Sequence, residues 1–114
     1  MTPDYPLFTH WYQTLDWILS AVERFPRSAR FSLASRIADA ALDTMERIVE
    51  AIYTKERVHI LDAINMHIEK QRILFRIAFD RRYISSRQHE HIARALDEAG
   101  RMTGGWRRKL REKG

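Results

Sequence analysis

Apolar residues recur at steps of three and four along nearly the whole chain, the spacing that holds them on one face of a 3.6-residue helix. Over residues 6–24, Phe8, Trp11, Tyr12, Leu15, Ile18, Leu19 and Val22 make one wide stripe, with Asp16 and Glu23 opposite. Over 29–53 the stripe is Ala34, Ile37, Ala38, Ala41, Leu42, Met45, Ile48, Val49 and Ile52, and the wet face carries Arg36, Asp39, Asp43, Glu46, Arg47 and Glu50. A third segment, 56–82, has two overlapping stripes, Leu61, Ile64, Ile68, Phe75 and Phe79 beside Ile60, Ala63, His67, Leu74 and Ile77. More than one face needs cover there, which points to a subunit contact. The fourth, 87–110, spaces His89, Ile92, Leu96, Ala99, Met102, Trp106 and Leu110 almost as heptads, a bundle or coiled-coil seam.

Three breaks separate these segments. In "RFPRS" Pro26 ends a helix and Ser28 is a candidate N-cap; the second break is near "YTKER"; in "RYISSRQ", Ser85 and Ser86 are candidate caps. Helices of about 20 residues run about 30 Å, and short connections make neighbours antiparallel. The expected fold is all-α, an up-down-up-down four-helix bundle forming one domain over residues 1–114. No repeat, low-complexity tract or strand pattern interrupts it.

Charge adds a function class to this picture. The 114 residues carry a formal net charge of +5 with a pI near 10.0, and lysine stands only at positions 55, 70, 109 and 113. Guanidinium groups contact phosphate and carboxylate in a bidentate fashion and stack on flat rings, so this balance favours a polyanionic partner. The basic residues fall into three groups: Arg24, Arg27 and Arg30; Arg72, Arg76, Arg81 and Arg82; and Arg101, Arg107, Arg108, Lys109, Arg111 and Lys113. In an antiparallel bundle the first two share an end and helix four runs away from it, so two basic zones are expected. The plain alternative is a set of solvated, partly salt-bridged faces.

Catalytic chemistry finds little support. There is no cysteine, which removes disulfides and thiolate sites and fits a reducing compartment. His89 and His91 stand two apart on a helix and point about 200° away from each other, and His59 and His67 lack the three- or four-residue step of helical metal sites. Ser32, Ser35, Ser85 and Ser86 sit near helix starts, where capping accounts for serine, and Asp39 with Asp43 or Glu46 with Glu50 lie on an exposed helical face. No metal, cofactor or catalytic residue is expected. "GRMTGGWRRKLR" lacks the strand and terminal Lys-Ser/Thr of a phosphate loop. Its three glycines each cost about 1 kcal/mol in a helix interior, so either the helix breaks there or a neighbour packs over the bare face with Trp106 as anchor. The opening "MTPDYPLFTH" has no basic segment before an apolar run, and no stretch approaches about 18 apolar residues, so neither export nor membrane insertion is expected and the cytoplasm is the default.

Taken in order, "FPRSARFSLASRIADAALDTMERIVEA" and "LFRIAFDRRYISSRQHEHIARALDEAGRMTGGWRRKL" resemble the accessory variability determinant proteins encoded beside reverse transcriptases in diversity-generating retroelements. The shared parts are the Phe-Pro-basic-x-x-Arg-Phe helix entrance, the Arg-Ile-x-x-Ala-Ala-Leu-Asp run, the Arg-x-Ala-x-Asp-x-Arg end of helix three, and Gly-Arg-Met-x-Gly-Gly-Trp; the first helix matches only in its apolar pattern. The resemblance implies a protomer that assembles into a pentameric barrel, has no enzymatic activity, and binds the reverse transcriptase with its template RNA or RNA/DNA hybrid. It implies a role in mutagenic retrohoming, where a template repeat is copied with adenine-directed errors into cDNA that replaces a variable repeat. By motif match, Arg76 and Arg82 with Arg27 and Arg30 are the expected partner-binding residues at one end, and Arg107, Arg108 and Lys109 are expected as flexible phosphate contacts. At the first corner Pro26 is expected to set the turn while Phe25 and Phe31 pin it to the core. Two other classes stand beside this one: the four-helix protein of ribosomal RNA intervening sequences, and an oligomeric adaptor that touches no nucleic acid.

Overall fold

The computed structural model describes residues 5–113 of the chain. Helix α1 spans Pro6–Glu23 with Pro6 at its first position, where a missing amide hydrogen costs nothing. Helix α2 spans Ser35–Tyr53, α3 spans Val58–Asp80 and α4 spans Ser86–Lys113. The described residues contain no strand. Each helix packs on the next, and α4 returns against α1, which closes an up-down-up-down bundle of 48 × 24 × 21 Å.

Three of the helices follow the apolar periodicity to within a few residues. The second does not begin as expected. Between α1 and α2 the chain makes a 3-10 turn, Arg27–Ala29, and then a π-helical turn, Arg30–Ala34, before regular α geometry starts at Ser35. Ser28 caps nothing; the turn is closed by the Ala29 amide donating to the Pro26 carbonyl at 2.8 Å. Ser32 and Ser35 likewise donate backwards, to the carbonyls of Ala29 and Ser32, rather than accepting from free helix amides. The π turn widens the helix by a residue and so shifts the phase of everything before it. Phe25 is buried, but Phe31, expected beside it in the core, is turned out and 90% exposed.

The α3–α4 corner is built from two local devices. Tyr83 donates its amide to the Ala78 carbonyl at 2.8 Å and Arg82 to the Phe79 carbonyl at 2.9 Å, a Schellman closure that requires a left-handed residue at Arg82, φ 64°. Ser85 and Gln88 then form a reciprocal capping box: the Gln88 amide donates to Ser85 Oγ at 3.1 Å and the Ser85 amide to Gln88 Oε1 at 2.7 Å. Of the two serines expected as caps, Ser85 makes these bonds.

Trp11, Ile18, Ile37, Ile48, Leu61, Ile64, Ile68, Phe75, Ile92 and Leu96 fill the core, and Ala41, Ala51, Ala78 and Ala99 let helices approach closely. Buried polar atoms are matched locally. The Trp11 indole donates to the Ala41 carbonyl at 3.0 Å, tying α1 to α2, and Thr14, Thr44 and Thr103 each donate to the carbonyl four residues earlier. Gln71 is the exception. Its amide nitrogen donates to Thr44 Oγ1 and the His67 carbonyl, both at 2.9 Å, while its Oε1 has no partner among the described residues.

Helix α4 runs straight through Gly100, Gly104 and Gly105. A Cβ at these positions would meet only the ends of arginine side chains, Arg72 or Arg108, at 3.7 Å. Neither expected reason for the glycines applies within the protomer: the helix does not break, and no backbone or ring crowds the bare face.

A candidate nucleic-acid interface at the two ends of the bundle

The corners α1–α2 and α3–α4 meet at one end, where the Phe25 and Tyr83 rings lie 5.4 Å apart. This contact brings together two groups far apart in sequence. Arg27 and Arg30 line an open groove of about 500 Å³ with Val22, Phe25 and Ala38, and Arg82 lines a shallow hollow with Phe79, Tyr83 and Ser85. Arg24, Arg27, Arg30, Arg81, Arg82 and Arg87 are exposed there, and none forms an ion pair among the described residues. Arg76 stands on the last turns of α3, with Nε 3.1 Å from Asp80 Oδ1. That pair is exposed, so it is worth a fraction of a kcal/mol and can be exchanged for a phosphate. Arg81, outside the expected binding set, donates to the Tyr83 hydroxyl at 3.0 Å and lies over its ring.

The other end collects the N-terminus of α1, the α2–α3 connection and the end of α4. Here the expected trio divides. Arg107 is a strut: its Nε donates to Asp62 Oδ1 at 2.6 Å, joining α4 to α3. The Arg107 hydrogen bond holds the Asp62 carboxyl below the usual carboxylate range and raises the guanidinium in turn. Arg108 and Lys109 are exposed and make no ion pair among the described residues. Lys109 borders a cavity of about 440 Å³ with Tyr5, Arg57, Met102, Gly105 and Trp106. Trp106 packs on Tyr5 with ring centroids 5.3 Å apart, and Arg57 places its guanidinium carbon 5.5 Å from the Trp106 centroid while its Nε donates to the Thr54 carbonyl at 2.8 Å. Sequence reasoning missed Arg57, which stands alone in a short connection with no basic neighbour pattern beyond Lys55.

Between the ends most arginines are compensated. Arg47 pairs with Glu50 at 2.8 Å, Arg94 with Glu90 at 2.5 Å, Arg101 with Glu98, and Arg72 with both Glu69 and Asp97. The alternative of salt-bridged faces therefore describes the flanks, while the arginines with no ion pair among the described residues concentrate at the ends. The field of such an arrangement attracts polyanions at the rims rather than along the sides.

Three of the histidines make contacts within the bundle. His89 stacks on Phe79 at 4.5 Å, His91 lies 4.8 Å from Trp17, and His10 donates to the Ala95 carbonyl at 2.8 Å. No group of three or more His, Asp and Glu residues that could hold a metal ion occurs among the described residues. Among them, too, no helix is long and apolar enough to cross a membrane.

An all-α, arginine-rich four-helix bundle, with arginines that form no ion pair among the described residues at its ends, defines the class. The chain belongs to the bAvd-like family, whose model matches residues 7–110, nearly the whole length. No curated protein matches the sequence significantly.

Proposed function

We propose that this protein is a non-enzymatic accessory factor of a diversity-generating retroelement, binding the reverse transcriptase and its template RNA in the cytoplasm to support mutagenic retrohoming. The observation that carries the reading is the concentration, at the corner where Phe25 meets Tyr83, of arginines that form no ion pair among the described residues, with Arg76 beside them held only by exposed Asp80, in a chain of the bAvd-like family. Arg27, Arg30, Arg76 and Arg82 present guanidinium groups to phosphate or to acidic side chains of the enzyme. Arg108 and Lys109 offer phosphate contacts at the far end.

The protomer acts as part of a ring, and the pentamer implied by the family resemblance is the proposed form. Support comes from two apolar surfaces that differ. Helical periodicity places Leu42, Val49 and Tyr53 on the flank of α2 that adjoins α1, where Tyr12 is also exposed. Met66, Ile73 and Ile77 form a separate ridge on α3 that points out of the bundle. Two unlike surfaces make a head-to-tail contact, which closes into a ring when the rotation permits. Each copy then repeats the arginine corner around one rim.

The test is co-expression with the reverse transcriptase and template RNA of its own locus, followed by pull-down at physiological salt with and without nuclease. Recovery of the enzyme after nuclease supports the accessory role through protein contacts. Absence of both enzyme and RNA from the recovered material refutes it and favours an adaptor or a protein of the ribosomal intervening-sequence type.

A further inference from the structure

We propose that the cavity bounded by Tyr5, Arg57, Trp106 and Lys109 is a site for one unpaired base of a single-stranded nucleic acid, with the adjoining phosphate held by Arg57 and Lys109. The proposal rests on the nucleic-acid reading above and adds a position and a strand preference to it.

The cavity combines an aromatic wall with positive charge at one place. Trp106 and Tyr5 are packed at 5.3 Å, and Leu7, Met102 and Leu110 complete an apolar lining. Its volume of about 440 Å³ lies in the range of sites that take a small ligand. Arg57 is anchored before any ligand arrives: Nε is committed to the Thr54 carbonyl at 2.8 Å and the guanidinium carbon lies 5.5 Å from the Trp106 ring centroid, which leaves its terminal nitrogens for a phosphate. Neither Arg57 nor Lys109 has an ion-pair partner among the described residues.

Gly105 supplies an independent observation. It lines the cavity, lies inside a continuous helix, and has no packing contact that excludes a Cβ, which would meet only Arg108 Nη2 at 3.7 Å. Glycine there costs the helix about 1 kcal/mol relative to alanine and leaves that wall of the cavity bare. Aromatic stacking with adjacent cations is the chemistry by which unpaired bases are held without sequence readout. A paired base keeps its faces inside the duplex, so the site discriminates strand state rather than sequence.

The experiment titrates the full protein with a single-stranded RNA of about 12 nucleotides and with a duplex of the same length, following tryptophan fluorescence and affinity at fixed salt. Single strand is expected to quench the emission and duplex is not. Trp106→Leu and Gly105→Leu should each weaken single-strand binding about tenfold and leave duplex binding unchanged; Gly105→Leu removes no charge and introduces a better helix former, so it decides the matter if Trp106→Leu does not fold. Arg57→Gln should weaken single-strand binding and lower its salt dependence. If both strands bind but neither Leu variant matters, or if both strands weaken equally, this inference fails and the nucleic-acid reading stands. Failure of the wild type to bind either strand overturns both. Loss of reverse transcriptase recovery in the Leu variants with RNA affinity intact overturns the inference and gives the cavity to a protein partner.

Discussion

Replacing Arg82 with glycine should make the protein more stable and a poorer binder at once. Arg82 occupies the left-handed position of the α3 closure at φ 64°, where a Cβ crowds the following carbonyl at a cost of about 1–2 kcal/mol. Glycine relieves that strain and returns part of the gain, because the unfolded chain acquires freedom that folding must then remove. The closing bonds, Tyr83 to Ala78 at 2.8 Å and Arg82 to Phe79 at 2.9 Å, are made by backbone and survive the change. Arg82 makes no ion pair among the described residues, so no partner is stranded. A net gain of about 0.5–1 kcal/mol follows, or roughly 2–6 °C in Tm for a domain of this size. RNA affinity should fall, and the slope of log affinity against log salt should shrink by about 1 as one phosphate contact is lost. Arg82→Ala separates the two effects, since alanine keeps the strain and loses the charge: binding should fall as for glycine, with no gain in Tm. Circular dichroism melts at one protomer concentration and RNA titrations at three salt concentrations measure all of this. A glycine variant no more stable than the alanine variant would refute the strain argument; unchanged binding in both would remove Arg82 from the interface.

Three further outcomes are expected. Gln71→Met should leave the denaturant midpoint within the equivalent of about 1 kcal/mol of wild type, because removing the unpartnered Oε1 offsets the loss of the bonds Nε2 donates to Thr44 Oγ1 and the His67 carbonyl; a much lower midpoint would mean the amide is worth more than its orphaned oxygen costs. Burial, aided by Lys70, lowers the pKa of His67, so its contribution is complete above the ordinary histidine value near 6.5 and is lost as pH falls through the lower folded value. His67→Gln should accordingly flatten that part of the stability curve measured by melts between pH 7 and 5, and an identical curve would contradict the assignment. Ile73→Asp, on the outward ridge of α3, should convert the proposed ring to protomers in sedimentation analysis without changing the helical spectrum, whereas a mass unchanged from that of the wild type would remove this ridge from any subunit contact.

Much of this molecule was legible from one dimension. Four helices follow from a 3.6-residue apolar repeat, since such a repeat buries its stripe in only one conformation. The Ser85 and Gln88 capping box closes within three residues and needs nothing distant. That the basic groups divide between two ends follows from antiparallel topology alone. What sequence could not supply was phase and partnership. The π turn at Arg30–Ala34 turns Phe31 outward because the corner is set by packing Phe25 on Tyr83, 58 residues away by number but 5.4 Å in space. Arg107 reads as a free cation beside Arg108 until the fold brings Asp62 within 2.6 Å, and Arg57 acquires meaning only when Trp106 and Tyr5 arrive beside it. Periodicity records which way a side chain points around its own helix, a local property of the backbone; which charge it meets and which ring it rests on depend on how the helices pack, and that was decided by tertiary structure.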